Sequence, residues 1–201
     1  MPFDEKLLAV AIEEAHKRGF KIACHANDSI SCRIAGKSGV DSIEHGMFLE
    51  AADLEAMAKK KTFLVPTMSV RDAMLYYARA VDWPEARKKR AEELRNGSRA
   101  AVKAAIKAGV QMALGTDAGG GAARHGRIAR EAELMVECGM EPRDVLIAPT
   151  SNAAKLIGEE ERGTIDKGKI ADLVLLDANP LESISGLRLI AAVFQDGRLV
   201  W

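Results

Sequence analysis

The chain has 201 residues, of which 48% are apolar and 29% charged, a composition typical of a globular protein and not of a disordered one. Basic and acidic residues number 29 each, so no net charge favours nucleic acid or an anionic membrane surface as a partner. The sequence contains no apolar run of membrane-spanning length and no secretory signal pattern, and its three cysteines lack C-x-x-C spacing. We therefore expect a cytoplasmic protein with reduced thiols.

Helical and strand patterns alternate through most of the chain. The predicted strands cover residues 21–25, 40–45, 62–67 and 110–116. The predicted helices cover residues 4–18, 54–58, 84–107, 128–137, 142–147 and 151–156, with Gly19 as a stop signal and Pro84 at the first position of the long polar helix. Because the strands are apolar on both faces and helices separate them, the pattern predicts parallel strands covered by helices.

The pattern changes after Gly158. Apolar runs at 163–169, 171–177 and 191–201 are interrupted by Gly, Asp and Pro, which predicts three strands of a small β-rich unit. Asp196-Gly197 is a strong hairpin-turn signal. We therefore divide the chain into residues 1–158 and residues 159–201.

Three residues of metal-ligand type stand at the ends of predicted strands, namely His25, His45 and Asp117. The C-terminal ends of parallel strands meet at one rim, where active sites of α/β proteins assemble. Imidazole and carboxylate bind zinc, and they also serve manganese and iron. The sequence therefore predicts a divalent metal, most simply zinc, and hydrolysis by water that this metal activates.

Two further predictions concern the chemistry at this rim. Asp117 is expected to take a proton from the attacking water and to deliver it to the departing amine. His125 either contacts the substrate or is a loop histidine without a role. The glycine-rich segment around Asp117 either turns sharply beside the site or is simply flexible, and its glycines are Gly115, Gly119, Gly120 and Gly121.

Competing motifs are absent from the sequence. The glycine-rich loop contains no G-x-G-x-x-G and no Gly-Lys-Ser/Thr, and no G-x-S-x-G occurs, so dinucleotide, P-loop and serine-hydrolase sites are not supported. Aromatic residues follow the third strand at Tyr76, Tyr77 and Trp83. They either hold a substrate or secure a helix.

Six motifs follow one another in a specific order along the chain. They are His25-Ala26, Ile43-Glu44-His45-Gly46, Val65-Pro66-Thr67, Gly115-Thr116-Asp117-Ala118-Gly119, Thr150-Ser151-Asn152-Ala153-Ala154 and Gly168-Lys169-Ile170-Ala171-Asp172-Leu173-Val174. Together they resemble the C-terminal half of the amidohydrolase superfamily, in the branch of imidazolonepropionase and the prolidase-like dipeptidases. The resemblance covers essentially the whole chain.

This resemblance implies a fold and a set of site residues. The fold is a (β/α)8 TIM-like barrel with a small β-sandwich, to which residues 1–158 contribute strands five to eight and residues 159–201 the C-terminal part of the sandwich. His25 matches the metal ligand of strand five and His45 that of strand six. Asp117 matches the catalytic, metal-bound aspartate of strand eight.

The chain also departs from the family pattern. The His-x-His of strand one and the bridging lysine of strand four have no counterpart, and Asn27 stands where many relatives carry a second histidine. A (β/α)8 barrel needs about 250 residues, so the chain looks like half a barrel, either truncated or one product of a split gene. Its exposed edge strands predict a homo-oligomer or a complex with a missing N-terminal half, and weak metal affinity and turnover in isolation.

Three hypotheses follow. The chain is part of an amidohydrolase that cleaves amide or peptide-like C–N bonds in a small-molecule or dipeptide-like substrate. Alternatively, it is a non-catalytic partner subunit or scaffold that completes a barrel by oligomerisation. A third hypothesis is a complete small enzyme that uses one metal.

Overall fold

The computed structural model describes residues 4–119 and 123–201, where strands alternate with helices and a small antiparallel sheet follows. The strands are β1 (Ala23–Ala26), β2 (Ser42–His45), β3 (Phe63–Val65), β4 (Leu173–Leu176), β5 (Ile190–Gln195) and β6 (Arg198–Leu199). The α-helices are α1 (Glu5–Lys17), α2 (Ser29–Ser38), α3 (Ala51–Lys60), α4 (Met68–Ala80), α5 (Glu85–Lys107), α6 (Ile128–Glu137), α7 (Pro142–Ile147) and α8 (Ala153–Ile157). A π-helical turn, Ala148–Asn152, joins α7 to α8, and a 3₁₀ turn covers Ile184–Arg188. The predicted mixed α/β class is confirmed.

The first sheet consists of β1, β2 and β3, which lie side by side in chain order and pair in parallel. The register places Ala26 opposite His45 and Glu44 opposite Val65, so the three strands end at one edge. Ile43 at the centre of β2 is completely buried. Buried apolar strands linked by helical crossovers are typical of parallel sheets.

The fourth predicted strand, residues 110–116, is much shorter than expected. It forms a single parallel bridge between Met112 and Leu64 of β3. On its other side the Met112 carbonyl accepts a hydrogen bond from Nδ2 of Asn152 at 2.8 Å, and the Leu114 N–H donates to the π-helical turn. The Met112 carbonyl and the Leu114 N–H thus bond to the π-helical turn and not to a neighbouring strand. The segment therefore lies fourth in order, beside β3, but does not form a seven-residue strand.

Local sequence signals mark several helix ends. The Asp28 carboxylate accepts hydrogen bonds from the N–H groups of Ile30 and Ser31 and so caps α2. The predicted stop Gly19 has a φ of 76°, in the left-handed region where glycine ends helices. Pro84 lies one position before α5 rather than at its first residue.

Most helices pack against the parallel sheet in one main core, and α8 packs on a smaller cluster around Phe63, Val65 and Ala113. The long polar helix α5 buries a narrow apolar stripe that includes Ala101, Val102 and Ala105, while its charged face remains in solvent. Within the described ranges, no helix combines the length and the apolar content that crossing a bilayer requires. Large, completely buried side chains of the core include Ile43, Leu54, Met57, Leu64, Met68, Leu134 and Met135.

The sequence pattern did not indicate α4, which follows β3 directly. The Tyr77 ring contacts Trp83 edge-on at 6.0 Å between ring centroids, and the Arg87 guanidinium lies 3.6 Å above the Trp83 ring. These contacts secure the turn from α4 into α5, as the helix-securing interpretation of the aromatic cluster predicts. Tyr76 is instead 78% exposed.

The C-terminal sheet pairs β4, β5 and β6 antiparallel, and the predicted hairpin turn is confirmed. Asp196 and Gly197 have φ angles of 48° and 76°, as a type I′ turn requires. The strand predicted at 163–169 is wrong, because Gly163 and Gly168 adopt left-handed conformations that interrupt an extended run.

Neither face of this sheet is covered by the described residues. Val174 and Leu175 point to opposite faces of β4 and are 57% and 58% exposed. Leu199 on β6 is also mostly exposed. The sheet therefore presents apolar side chains to solvent on both sides.

Candidate metal centre

His25 and His45 come together where β1 and β2 end. Nδ1 of His25 lies 2.9 Å from Nε2 of His45, and the two rings stack with centroids 5.1 Å apart. His25 is exposed at the rim, whereas His45 is only 5% exposed. One ring nitrogen donates the proton that the other accepts. The two predicted imidazoles therefore direct nitrogen atoms at each other across the end of the sheet.

This arrangement suits two ligands of one cation. Zinc lies about 2.0–2.1 Å from an imidazole nitrogen, so two tetrahedral ligands are separated by roughly 3.3 Å. The distance of 2.9 Å between Nδ1 of His25 and Nε2 of His45 is within a few tenths of an ångström of that value. If His25 carries its proton on Nε2 and His45 carries its proton on Nδ1, a small ring rotation would open both facing lone pairs to one metal. The two residues fit a zinc-type site.

The surroundings of His45 favour the neutral ring that binds metals. Burial lowers the pKa of His45 to about 4, and the positive charge of Arg71 acts in the same direction. The Asp117 carboxylate opposes this shift. At neutral pH the His45 ring is therefore uncharged, which is the form a metal ligand needs.

Thr67, the last residue of the Val65-Pro66-Thr67 motif, is the hydrogen-bond partner of His45. Its Oγ1 lies 2.7 Å from Nδ1 of His45, and its side chain is buried. When Nδ1 carries the ring proton, it donates to this oxygen and leaves the Nε2 lone pair facing His25. A partner that sets the tautomer in this way is typical of metal-binding histidines.

The backbone is left-handed at three residues of the rim. His45, Thr67 and Asp117 have φ angles of 71°, 46° and 52°. Such angles are uncommon outside glycine, and for a β-branched residue such as threonine they are genuine outliers. Strained residues cluster at functional sites. Their recurrence after three successive strand segments supports a functional rim.

Asp117 does not join the two histidines as a third donor. Among residues 4–119 and 123–201, no three His, Cys, Asp or Glu side chains lie close enough to hold one metal ion. Asp117 is exposed, but its negative charge still reaches the site. It adds to the raised pKa of Glu44 and partly offsets the lowered pKa of His45. The structure thus brings together two of the three predicted ligands and places the third nearby.

Glu44 is a further acid at this end of the sheet that sequence reasoning did not assign. Burial raises its pKa, while a hydrogen bond from the Ser42 hydroxyl, at 2.7 Å, opposes the shift. Glu44 lines a cavity of about 460 Å³ together with Val65 and Ala113. A partly buried acid that neighbours both His25 and Asp117 belongs to the same electrostatic site.

His125 lies against the loop that follows Asp117. A Cβ atom placed on Gly119 would come within 3.3 Å of Nε2 of His125, so the imidazole packs on the Gly119 backbone. Gly115 is more restricted, because a Cβ there would lie 2.7 Å from Cγ1 of Val65. This supports the prediction that bulkier residues would obstruct the turn. Gly120 and Gly121 lie outside the described residues.

An open cavity of about 950 Å³ adjoins this rim. Thr116, next to Asp117, contributes to its wall, as do Ser69 and Tyr76 of α4. Arg124 and Arg127 line the side that leads to α6. The arginines of this cavity favour an anionic group.

Comparisons with known proteins find a family and relatives that match almost the whole chain. The model of the Amidohydrolase family matches residues 2–200. The chain is 31% identical to an ochratoxinase of Aspergillus niger over 98% of its own length and 39% of that protein. It is 27% identical to an imidazolonepropionase of Shouchella clausii over 94% of its length and 39% of that protein.

A solved structure is also similar. The crystal structure of a Xaa-Pro dipeptidase with bound methionine in the active site superposes with a TM-score of 0.86 at 32% identity. The match covers 98% of this chain and 48% of the dipeptidase. The chain therefore spans half or less of the length of these relatives.

Proposed function

The chain belongs to the amidohydrolase family, and on that premise we propose that it forms the C-terminal half of a metal-dependent hydrolase acting on amide or peptide-like C–N bonds. The observation that carries this proposal is the 2.9 Å approach of Nδ1 of His25 to Nε2 of His45 at the end of two adjacent parallel strands. The relatives include a Xaa-Pro dipeptidase and an imidazolonepropionase. A small dipeptide-like or related amide substrate is accordingly proposed, without a nucleic-acid or membrane partner.

His25, His45 and Asp117 would hold the cation, with zinc in first place and manganese or iron as alternatives. A divalent cation bound there polarises the scissile carbonyl and lowers the pKa of its bound water. His45 contributes Nε2 because Thr67 engages its Nδ1. The described residues bring two donors together and not three, so Asp117 would have to move towards the histidines when the cation binds.

Asp117 is proposed to move the proton. Its exposed carboxylate would accept a proton from the attacking water and deliver it to the nitrogen of the departing amine. His125 would contact the substrate from the loop that follows, because its ring packs on Gly119, two residues from Asp117. The cavity beside Thr116 would admit the substrate.

The proposed architecture is half of a (β/α)8 barrel, residues 1–158, followed by the C-terminal part of a β-sandwich, residues 159–201. Three parallel strands in chain order and a fourth segment beside them support four consecutive barrel positions. We propose a homo-oligomer or a complex with an N-terminal half, low activity of the isolated chain, and a cytoplasmic location.

A non-catalytic partner subunit or scaffold is the second candidate. It is favoured by the failure of Asp117 to complete a three-donor group with the histidines within residues 4–119 and 123–201. In that case His25 and His45 would be retained without turnover.

Metal binding tests the proposed centre. Titration of the full chain with Zn²⁺, followed by calorimetry, is expected to show binding that His45→Ala weakens by about 100-fold, because one of two converging nitrogens is lost. His16→Ala is the matched control, since His16 lies on α1 and bonds to Asp41 at 2.8 Å. No zinc binding by the natural chain, or an equal loss in both variants, would contradict the proposed centre.

Catalysis is tested on the same protein. Zinc-loaded chain should release proline from dipeptides that end in proline, and Asp117→Asn should abolish this release while zinc remains bound. Zinc binding without turnover, even at high protein concentration, would favour the partner-subunit hypothesis.

A further inference from the structure

Glu131 on α6 is a buried carboxylate that the proposed reaction does not use. Its side chain is completely buried. Its Oε1 accepts a hydrogen bond from the Met68 N–H at 2.7 Å, and its Oε2 accepts one from the Ser69 N–H at 2.6 Å. Both amides belong to the first turn of α4, where backbone N–H groups lack partners within the helix. Glu131 therefore caps α4 from an element 62 residues further along the chain.

Burial of a carboxylate at this position costs free energy of folding. Burial raises the pKa of Glu131, and the hydrogen bonds from Ser69 and Met68 oppose that shift. An apolar side chain of similar size would fill the core without this cost. Core packing alone therefore does not account for Glu131.

The residue that should cap α4 is engaged elsewhere. Thr67 precedes the helix, yet its side chain makes no hydrogen bond to the helix and its backbone is left-handed, with φ 46° and ψ 43°. Its Oγ1 bonds to Nδ1 of His45 at 2.7 Å instead. Threonine often caps helices, but here Glu131 caps α4. The Thr67 hydroxyl therefore bonds to His45 and not to the helix.

We infer that Glu131 is a positioning residue, which holds the strained start of α4 so that Thr67 sets the tautomer and orientation of His45. Through this contact the His45 ring presents Nε2 to Nδ1 of His25 at 2.9 Å. The inference rests on the proposed function for its purpose, because a fixed tautomer matters most for a metal ligand. The contact itself holds the ring whether or not a metal is bound.

Nitrogen chemical shifts of the His45 ring, measured by NMR on the metal-free full chain, test this inference. We expect the natural chain to hold one tautomer with the proton on Nδ1. Glu131→Gln presents an amide NH₂ to one of the two α4 donors, and Thr67→Val removes the acceptor from His45. Both variants should shift the ring towards the other tautomer and weaken Zn²⁺ binding by roughly 10-fold or more.

Val145→Ala is the matched control, because it removes atoms from a completely buried position on α7. It should lower stability and leave the His45 tautomer unchanged. Unchanged His45 shifts in a folded Glu131→Gln variant, or an equal shift in Val145→Ala, would overturn the inference. If Glu131→Gln does not fold, Glu131→Asp keeps the charge but shortens the reach, and it should produce the same tautomer shift.

The metal-free measurement separates this inference from the proposed function. A natural chain that binds no zinc but loses its His45 tautomer in Glu131→Gln would refute the metal centre and support the positioning role. Zinc binding by the natural chain, together with an unaffected His45 tautomer in Glu131→Gln, would support the metal centre and refute the positioning role.

Discussion

At the residue scale, the turn out of β2 depends on two consecutive left-handed residues. His45 has a φ of 71° and Gly46 one of 59°. A Cβ atom on Gly46 would lie 2.7 Å from Cδ1 of Leu49 and 2.7 Å from Cδ1 of Leu64, closer than any stable contact. Glycine is therefore required both for the conformation and for the space, next to a proposed metal ligand.

We expect Gly46→Ala to lower the free energy of unfolding by about 3 kcal/mol, from left-handed strain plus overpacking. Gly109→Ala is the matched control: it has a φ of 70° but nothing within 4 Å of the added Cβ, so strain alone should cost about 1 kcal/mol. Urea denaturation of both variants measures the difference. Equal losses would mean that the leucines move aside at no cost.

At the scale of elements, one carboxylate links three helices. Asp72 of α4 accepts hydrogen bonds from Arg95 and Arg99 of α5 and from Arg130 of α6, at 2.8, 3.0 and 3.0 Å. Burial opposes ionisation of Asp72, but the hydrogen bonds from Arg130 and Arg95 outweigh it, so the pKa of Asp72 is lowered. Helices α4, α5 and α6 are therefore held together by an ionised acid.

Asp72→Asn should destabilise the protein by about 2 kcal/mol at pH 7, because charge-assisted hydrogen bonds are lost. The folded pKa of Asp72 lies below its unfolded value of about 3.9. The contribution is therefore complete above that pH and disappears as the pH falls through the folded pKa.

Urea denaturation of the natural chain and of Asp72→Asn, at neutral and at acidic pH, measures the difference between their free energies of unfolding. This difference should disappear below about pH 4. Asp82→Asn is the control, since Asp82 pairs with Lys88 in solvent with a side chain that is 91% exposed. It should change stability little at either pH. If Asp72→Asn remains equally destabilised in acid, ionisation of Asp72 is not the cause of the lost stability.

At the scale of the whole molecule, the exposed surfaces agree with the short span of the chain relative to its relatives. The C-terminal sheet presents Val174 on one face and Leu175 on the other. The cavity beside Glu44 lies along the face of the parallel strands that carries Ser42, Glu44 and Val65. Apolar sheet faces of this kind are usually covered by another chain or domain.

We expect the purified chain to self-associate, with a solution mass above the 21.7 kDa of one copy. Val174→Lys and Leu175→Lys should each reduce the mass if both faces are covered, because a buried lysine is costly. Ile165→Lys is the control, since Ile165 is 87% exposed outside the sheet. Light scattering coupled to size-exclusion chromatography measures the mass, and a stable monomer of the natural chain would contradict the expectation.

Local sequence patterns predicted most elements but missed α2 and α4. Periodicity and capping residues are local, so α1, α5, α6 and α7 were predicted close to their observed bounds. The local cap signal at the start of α4, Thr67, is not used for capping, because its side chain bonds to His45 and the cap comes from Glu131. The strand at 110–116 was overestimated for a related reason, since Asn152 takes the carbonyl of Met112.

The sequence by itself determined the mixed α/β class, the hairpin at Asp196 and the positions of the two histidines at strand ends, since residue type and spacing are enough for these. Only the tertiary structure decided that His25 and His45 approach to 2.9 Å, that Thr67 orients His45, and that Asp117 stands apart from them. Such contacts join residues about 20 or more positions apart. Packing sets them, and no local period of the chain encodes packing.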